Sequence, residues 1–250
     1  MPRYDFRSPR LYIEQPLVAR AAVALTRPQT HYLADVLRLK PGGEVLLFNG
    51  RDGEWRARFA PDSRRSATLL PEAQTRPQTA PTDVHYLFAP LKRSRLDYMV
   101  QKAVEMGAAR LQPVITRHTQ AERVNIARMR ANIVEAAEQC GILTVPEADE
   151  PVPLAQALTA LDPARLVVFC DEAAPGADPV AALTAVRAPK APRPVAVLVG
   201  PEGGFSEDER EDLLRRQNHV RLALGPRIMR ADTAAVAALA LVQAVLGDWR

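Results

Sequence analysis

The sequence predicts an α/β fold in two parts: a small N-terminal β-barrel, then an α/β domain built on a mostly parallel sheet. Three observations predict it. Residues 1–75 carry short β-rich runs and one helix, residues 76–82 form a polar, proline-rich linker, and residues 83–250 alternate apolar runs with helices. A length of 250 residues, 47% of them hydrophobic, suffices for two modest cores and excludes a disordered chain.

In the first part the strand runs are Arg10 to Ile13, Val45 to Asn49, Glu54 to Ala60 and Ala67 to Leu70. Asn49-Gly50 and Asp52-Gly53 are turn pairs between two of them. One helix is expected from about Pro28 to Leu39, with proline at its start and Pro41-Gly42-Gly43 stopping it. After the linker, strands are expected at Val84–Ala89, Leu111–Ile115, Leu166–Cys170, Val195–Gly200 and Val220–Leu224. Their apolar runs are continuous rather than alternating, as in a sheet covered by helices on both faces. Ser94 with Asp97, and Ser206 with Glu209, read as capping boxes opening two helices, and Gly107 ends the first. A helix from about Ile126 to Gln139 and an Ala, Val and Leu-rich helix from Thr233 to Leu246 complete the order.

Composition narrows the function classes. The longest apolar run, Ala234 to Val242, is too short for a membrane span, and MPRYDFRSPR lacks the apolar core of a secretory signal, so a cytoplasmic protein is expected. Cys140, Cys170 and four scattered histidines show no metal-ligand spacing, so no metal is expected. Residues 1–75 hold 12 Arg and Lys against 8 Asp and Glu, a net +4, whereas residues 76–250 hold 21 against 21. The net positive charge therefore lies in the first part, where a polyanion is attracted most. Lys102 and Glu105 are spaced for a surface ion pair, Phe205 reads as a packing residue and Cys140 as a small buried filler.

Two strand-end loops stand out. LVGPEGGFSEDE (198–209) leaves a buried-type strand and enters a capped helix, with three glycines in five residues exposing backbone to a ligand. LALGPRIMRADTAA (222–235) is again a strand, a Gly-Pro turn and a helix. In open α/β sheets ligands bind beyond the carboxyl ends of strands, so two such loops form a candidate site. Neither loop matches a dinucleotide fingerprint or a P-loop.

Together the loops resemble the signature of SPOUT-class RNA methyltransferases, and within them the ribosomal RNA small subunit methyltransferase E family. PRLYI (9–13), DVLRLKPGGEVLLFNG (35–50), LDYMVQKAVEMG (96–107) and EAAEQCG (135–141) sit in that family's order, so the resemblance spans most of the chain. It implies a PUA-like RNA-binding barrel over 1–75 and a SPOUT domain with a deep trefoil knot over 83–250. It implies S-adenosylmethionine as cofactor and N3 of a uridine in 16S ribosomal RNA of the small subunit as target. By family position Leu198, Val199, Gly200, Glu202 and Gly203 would line the cofactor from the first loop. Leu222, Leu224, Gly225, Ile228, Arg230 and Thr233 would line it from the second.

Uracil N3 must lose a proton before or during attack. A cation beside O2 or O4 would stabilise the anion, and a carboxylate would accept the proton. Arg230 is the cation candidate, with Arg227 next, and Asp232 and Glu202 are the candidate proton acceptors. Arg7, Arg10, Arg38 and Lys40 are candidate phosphate contacts. The sequence departs from the family at Ile142, Leu143 and Thr144, where relatives carry arginine, and at Ala231-Asp232, where Thr-Glu is common. Other readings of the residues are methylation of another RNA or of a ribose 2′-hydroxyl, and a non-catalytic RNA-binding ribosome-assembly protein. A homodimer through the C-terminal domain is expected, because the last helix is apolar on every face and one sheet covers only one side.

Overall fold

The computed structural model describes residues 7–63, 66–120, 123–174, 178–188 and 193–249. They form two compact units, one of residues 1–80 with 137–145 and the other of residues 81–136 with 146–250.

The first unit is a curled five-stranded sheet in the order β1-β3-β4-β5-β2. The strands are β1 (Arg10–Tyr12), β2 (Val23–Ala24), β3 (Glu44–Phe48), β4 (Glu54–Ser63) and β5 (Ser66–Arg76). Leu11, Ile13, Leu33, Val45, Leu47, Phe59 and Leu69 pack inside it. Register shifts along β4 and β5, at Glu54/Trp55, Arg56/Ala57 and Pro61/Ser63, bend the long hairpin around that core. Both expected turn pairs are present. Asn49 Oδ1 accepts from the Arg51 and Asp52 N–H groups, and Gly53 has φ +75° with no room for a Cβ beside the Arg76 carbonyl.

The expected helix is shorter and changes pitch. Thr26 and Gln29 form a capping box for α1 (Arg27–His31), which runs into a π-turn at Tyr32–Val36. Helical backbone ends at Leu37, because Arg38 turns left-handed at φ +52° and the Leu39 N–H closes on the Leu33 carbonyl. Pro41 and the glycines therefore begin the next turn rather than stopping the helix. The short β2 carried no sequence signal, its two residues being too few to show alternation.

The second unit contains β6 (Val84–Phe88), α2 (Arg93–Glu105), β7 (Arg110–Ile115), α3 (Ile126–Gln139), β8 (Glu147–Ala148), β9 (Val152–Pro153) and α4 (Leu154–Ala160). It continues through β10 (Leu166–Cys170), α5 (Pro179–Ala185), β11 (Val195–Val199), α6 (Glu207–Arg215), β12 (His219–Leu222) and α7 (Ala231–Val245). The last residues of α3, from Ala137, group with the first unit. The sheet runs β12-β10-β11-β6-β7-β8, and each of its described pairings is parallel. All five residues of β11 are buried, as its continuous apolar run requires. Among the described residues no helix is long and apolar enough to cross a membrane.

Ser206 and Glu209 form the expected capping box on α6. The Ser94 box does not form. Helix α2 begins two residues earlier than that box requires, capped by Lys92 without a side-chain bond. Asp97 is instead held by Arg128 at 2.6 Å and Asn132 at 2.8 Å. Lys102 and Glu105 pair at 2.7 Å as expected. Cys140 is exposed rather than a buried filler, because it lies just beyond the last turn of α3.

Candidate active site

The carboxyl ends of β10, β11 and β12 surround a cavity of about 210 Å³. The β11 loop contributes Val199 to Phe205, the β12 loop Leu222, Leu224, Gly225 and Arg227 to Met229, and the β10 loop Cys170 to Ala173. Of the residues expected to hold a ligand, Val199, Gly200, Glu202, Gly203, Leu222, Leu224, Gly225 and Ile228 line this cavity. Leu198 does not, being fully buried one position deeper in β11. Arg230, Asp232 and Thr233 flank the wall at the start of α7, beside the lining residues Met229 and Ala231.

The first loop is held open by packing on both sides. The Phe205 ring stands edge-on to Phe169 at 6.3 Å, in the packing role expected for it, and its edge would meet a Cβ on Gly200 at 3.0 Å. A Cβ on Gly203 would come within 3.2 Å of His118 Cβ. Glu209 accepts from both Ser206 N–H and Arg117 N–H, fastening the loop end to the turn after β7. The second loop turns at Gly225, whose φ of +92° is a left-handed value. It presents Ile228 to solvent at 94% exposure, an aliphatic side chain at a cavity mouth with nothing covering it.

The third wall went unnoticed in the sequence. Asp171 lies just past β10, is 8% exposed, and accepts from Arg221 Nε at 2.8 Å and Arg210 Nε at 3.2 Å. Arg221 also donates to the Ala173 carbonyl at 2.6 Å, so α6 and β12 both grip the β10 loop. The signal that could have found it is its position at the carboxyl end of a third buried-type strand. Burial, with Asp171 beside it, pushes the Cys170 thiol up to about 12, so this cavity-lining sulfur stays protonated and unreactive at neutral pH.

The cation and carboxylate candidates differ in their partners. Arg230 caps α7 with extended backbone, and its exposed guanidinium makes no hydrogen bond or ion pair among the described residues. Glu202 lies 3.4 Å from Arg95, and Asp232 accepts from the Thr233 N–H at 2.9 Å in the first turn of α7. Among the described residues no three His, Cys, Asp or Glu side chains are grouped as metal ligands.

In the first unit Arg7, Arg38 and Lys40 are exposed, but Arg10 is not available to a phosphate. Its side chain is 8% exposed, pairs with Glu54 at 2.9 Å, and donates to the carbonyls of Ala137, Glu138 and Ile142. The phosphate role expected for Arg10 is therefore withdrawn, because its donors already have partners inside the unit. Ile142 and Leu143, where the resemblance implies arginine, belong to that packed segment, with Leu143 buried.

Two family matches, one over each part of the chain, define the class of protein as an RNA methyltransferase. A family described as the RNA methyltransferase domain matches residues 78–243, and one described as the RNA methyltransferase PUA domain matches residues 25–72. The chain belongs to the ribosomal RNA small subunit methyltransferase E family. It is 30% identical to that protein from Rickettsia conorii, over 94% of each chain. It is also 30% identical to the Synechocystis relative, over 95% of this chain and 78% of that one. The crystal structure of the Neisseria gonorrhoeae family member, bound to S-adenosyl methionine, superposes with a TM-score of 0.82 at 25% identity. That match covers 98% of this chain and 100% of the other.

Proposed function

We propose that the cavity at the ends of β10, β11 and β12 holds S-adenosylmethionine, and that the protein methylates N3 of a uridine in 16S ribosomal RNA of the small subunit. The observation that carries this reading is the composition of the cavity wall. Backbone at the lining residues Gly200, Gly203 and Gly225 offers hydrogen bonds, while Leu222, Leu224 and the uncovered Ile228 offer apolar surface for a ring. Glu172 and Glu202 line the same wall and suit a cationic ligand. When bound, the cofactor supplies a methyl group on a positively charged sulfur, open to in-line displacement.

The chain's own residues then have to position the base and manage one proton. Arg230, with no partner among the described residues, would stabilise negative charge on a uracil oxygen, and Arg227, which lines the cavity, is the second candidate cation. Glu202 and Asp232 are the proton-acceptor candidates. Arg7, Arg38 and Lys40 on the first unit serve the phosphates, and a ribosomal RNA substrate places the work in the cytoplasm. The test is mass spectrometry of nucleosides from small-subunit RNA incubated with protein and cofactor. The expected product is N3-methyluridine. A 2′-O-methyl nucleoside, or cofactor binding with no methylated product, would overturn the proposed reaction.

We also propose a homodimer with its active site completed across the interface. Helix α7 buries Ala234, Ala235, Ala238, Leu239 and Val242, yet leaves Ala237, Ala240, Leu241 and Ala244 partly or fully exposed. That second apolar stripe of small residues suits close approach of another copy. Light scattering at micromolar concentration is expected to give twice the mass of 27.5 kDa. A monomer that still transfers methyl groups would reject the dimer.

A further inference from the structure

The first unit contains a second cavity, about 540 Å³, which the methyltransferase site does not use. That volume lies within the range of about 300–1,000 Å³ common for small-ligand sites. One wall is the irregular segment after α1: the ring of Tyr32 opens the π-turn, and Leu37 and Leu39 follow it. The lining also includes Gln139, an exposed amide that makes no hydrogen bond among the described residues. Two carboxylates line the cavity as well, Glu138 and the buried Glu54, the latter paired with Arg10 and Arg76.

Three features of the segment that supplies Tyr32, Leu37 and Leu39 mark this cavity as more than a packing gap. A single π-turn at this segment is a distortion frequent at functional sites. Arg38 takes φ +52°, where glycine or asparagine is at home, and its exposed side chain gains no hydrogen bond or ion pair among the described residues in return. Leu37 on the lining and its neighbour Val36 are exposed aliphatic side chains, at 40% and 59%. Together they offer a ring for stacking, an amide to read a polar edge, and Arg38 with Lys40 outside for phosphates. That set matches one unpaired nucleobase of a single-stranded RNA.

We infer that the cavity walled by Tyr32, Leu37, Leu39 and Gln139 receives an unpaired nucleobase of the RNA, a base other than the one methylated. This rests on the RNA methyltransferase reading for the identity of the polymer. It differs from general phosphate attraction, because it requires the base itself.

The test uses the full-length protein and a uridine-rich oligoribonucleotide of about ten nucleotides carrying one 2-aminopurine. An otherwise identical oligonucleotide lacking that base is the competitor. Wild type is expected to give a saturable change in 2-aminopurine emission and to prefer the complete oligonucleotide about 10-fold, the order of one base–aromatic stack. Tyr32→Leu keeps the apolar packing but lacks the ring, and should bind both oligonucleotides equally while retaining cofactor affinity. Gln139→Ala, at an exposed position without partners among the described residues, decides the matter if Tyr32→Leu does not fold, and should reduce the preference at least 2-fold. Equal binding of the two oligonucleotides by wild type, or full preference in folded variants, would overturn the pocket. Methyl transfer to small-subunit RNA by the same wild-type sample separates the two readings. Transfer without base preference sinks only the pocket, whereas base preference without transfer sinks only the methyltransferase reading.

Discussion

Glu54→Ala is expected to destabilise the first unit by about 3–5 kcal/mol, because it strands two buried guanidinium groups. Glu54 is the first residue of β4 and its side chain is 6% exposed. One oxygen accepts from Arg10 Nε at 2.9 Å and Arg76 Nη2 at 2.6 Å, and the other from Arg76 Nε at 3.0 Å and Thr75 Oγ1 at 2.9 Å. Arg10 further stacks over the Phe48 ring at 4.3 Å and binds three carbonyls of residues 137–142, while Arg76 binds the Gly141 carbonyl. Removing the carboxylate therefore loosens both the hairpin end and the segment 137–145. At about 4–8 °C per kcal/mol for a unit of this size, the first transition should fall by more than about 10 °C.

The pH dependence has its origin in the same contacts. Burial alone would raise the Glu54 carboxyl, but the hydrogen bonds and charge of Arg76, with Thr75 and Arg10, outweigh it and hold it below its ordinary 4.5. A carboxylate held low when folded contributes stability above its unfolded value, and loses it as pH falls through the folded one. The gap between wild type and the isosteric Glu54→Gln should thus be complete at about pH 7 and close below 4.5. Thermal melts of the three proteins across that range check both claims. A gap that persists in acid would mean the charge is not what Glu54 contributes.

The features legible in the sequence and the features hidden from it divide along physical lines. Strands such as β10 and β11 were legible because continuous burial on two faces leaves no polar position in the run. The loops at Gly200 to Gly204 and at Gly225 were legible because glycine and proline mark backbone that side chains cannot replace. Arg10 was misread because an arginine in a strand looks exposed until its long-range partners, more than forty residues away at Glu54, are known. Asp97 was misread for the same reason, since a carboxylate three residues after Ser94 fits a cap equally well as it fits a pair with Arg128. Asp171 carried one local signal, its place just past the buried-type strand β10. Its importance comes from Arg210 and Arg221 converging on it from two other elements. The π-turn at Tyr32–Val36 was hidden because its apolar pattern is that of an ordinary helix, and the extra residue per turn leaves no compositional mark.

Arg230→Met is expected to lower the methyl-transfer rate by about 10²–10³ while leaving cofactor affinity nearly unchanged. The size reflects the removal of one preorganised charge from a position where negative charge develops only during reaction. Arg230 meets the requirements for such a group. It stands at the positive end of the fifteen-residue α7, whose unpaired N–H groups add to its field. Its guanidinium has no partner among the described residues, so no ion pair has to break before it meets the base. Methionine keeps an aliphatic stem beside Met229 and Ala231, so the cavity wall keeps most of its packing when the charge goes. Arg230→Lys should recover part of the rate, because the charge returns without the planar fork. Single-turnover methylation of small-subunit RNA, with calorimetric titration of the cofactor, separates the outcomes. A fall in cofactor affinity as large as the fall in rate would make Arg230 a ligand of the cofactor instead. An unchanged rate would pass the role to Arg227, the other cation on that loop and the one that lines the cavity directly.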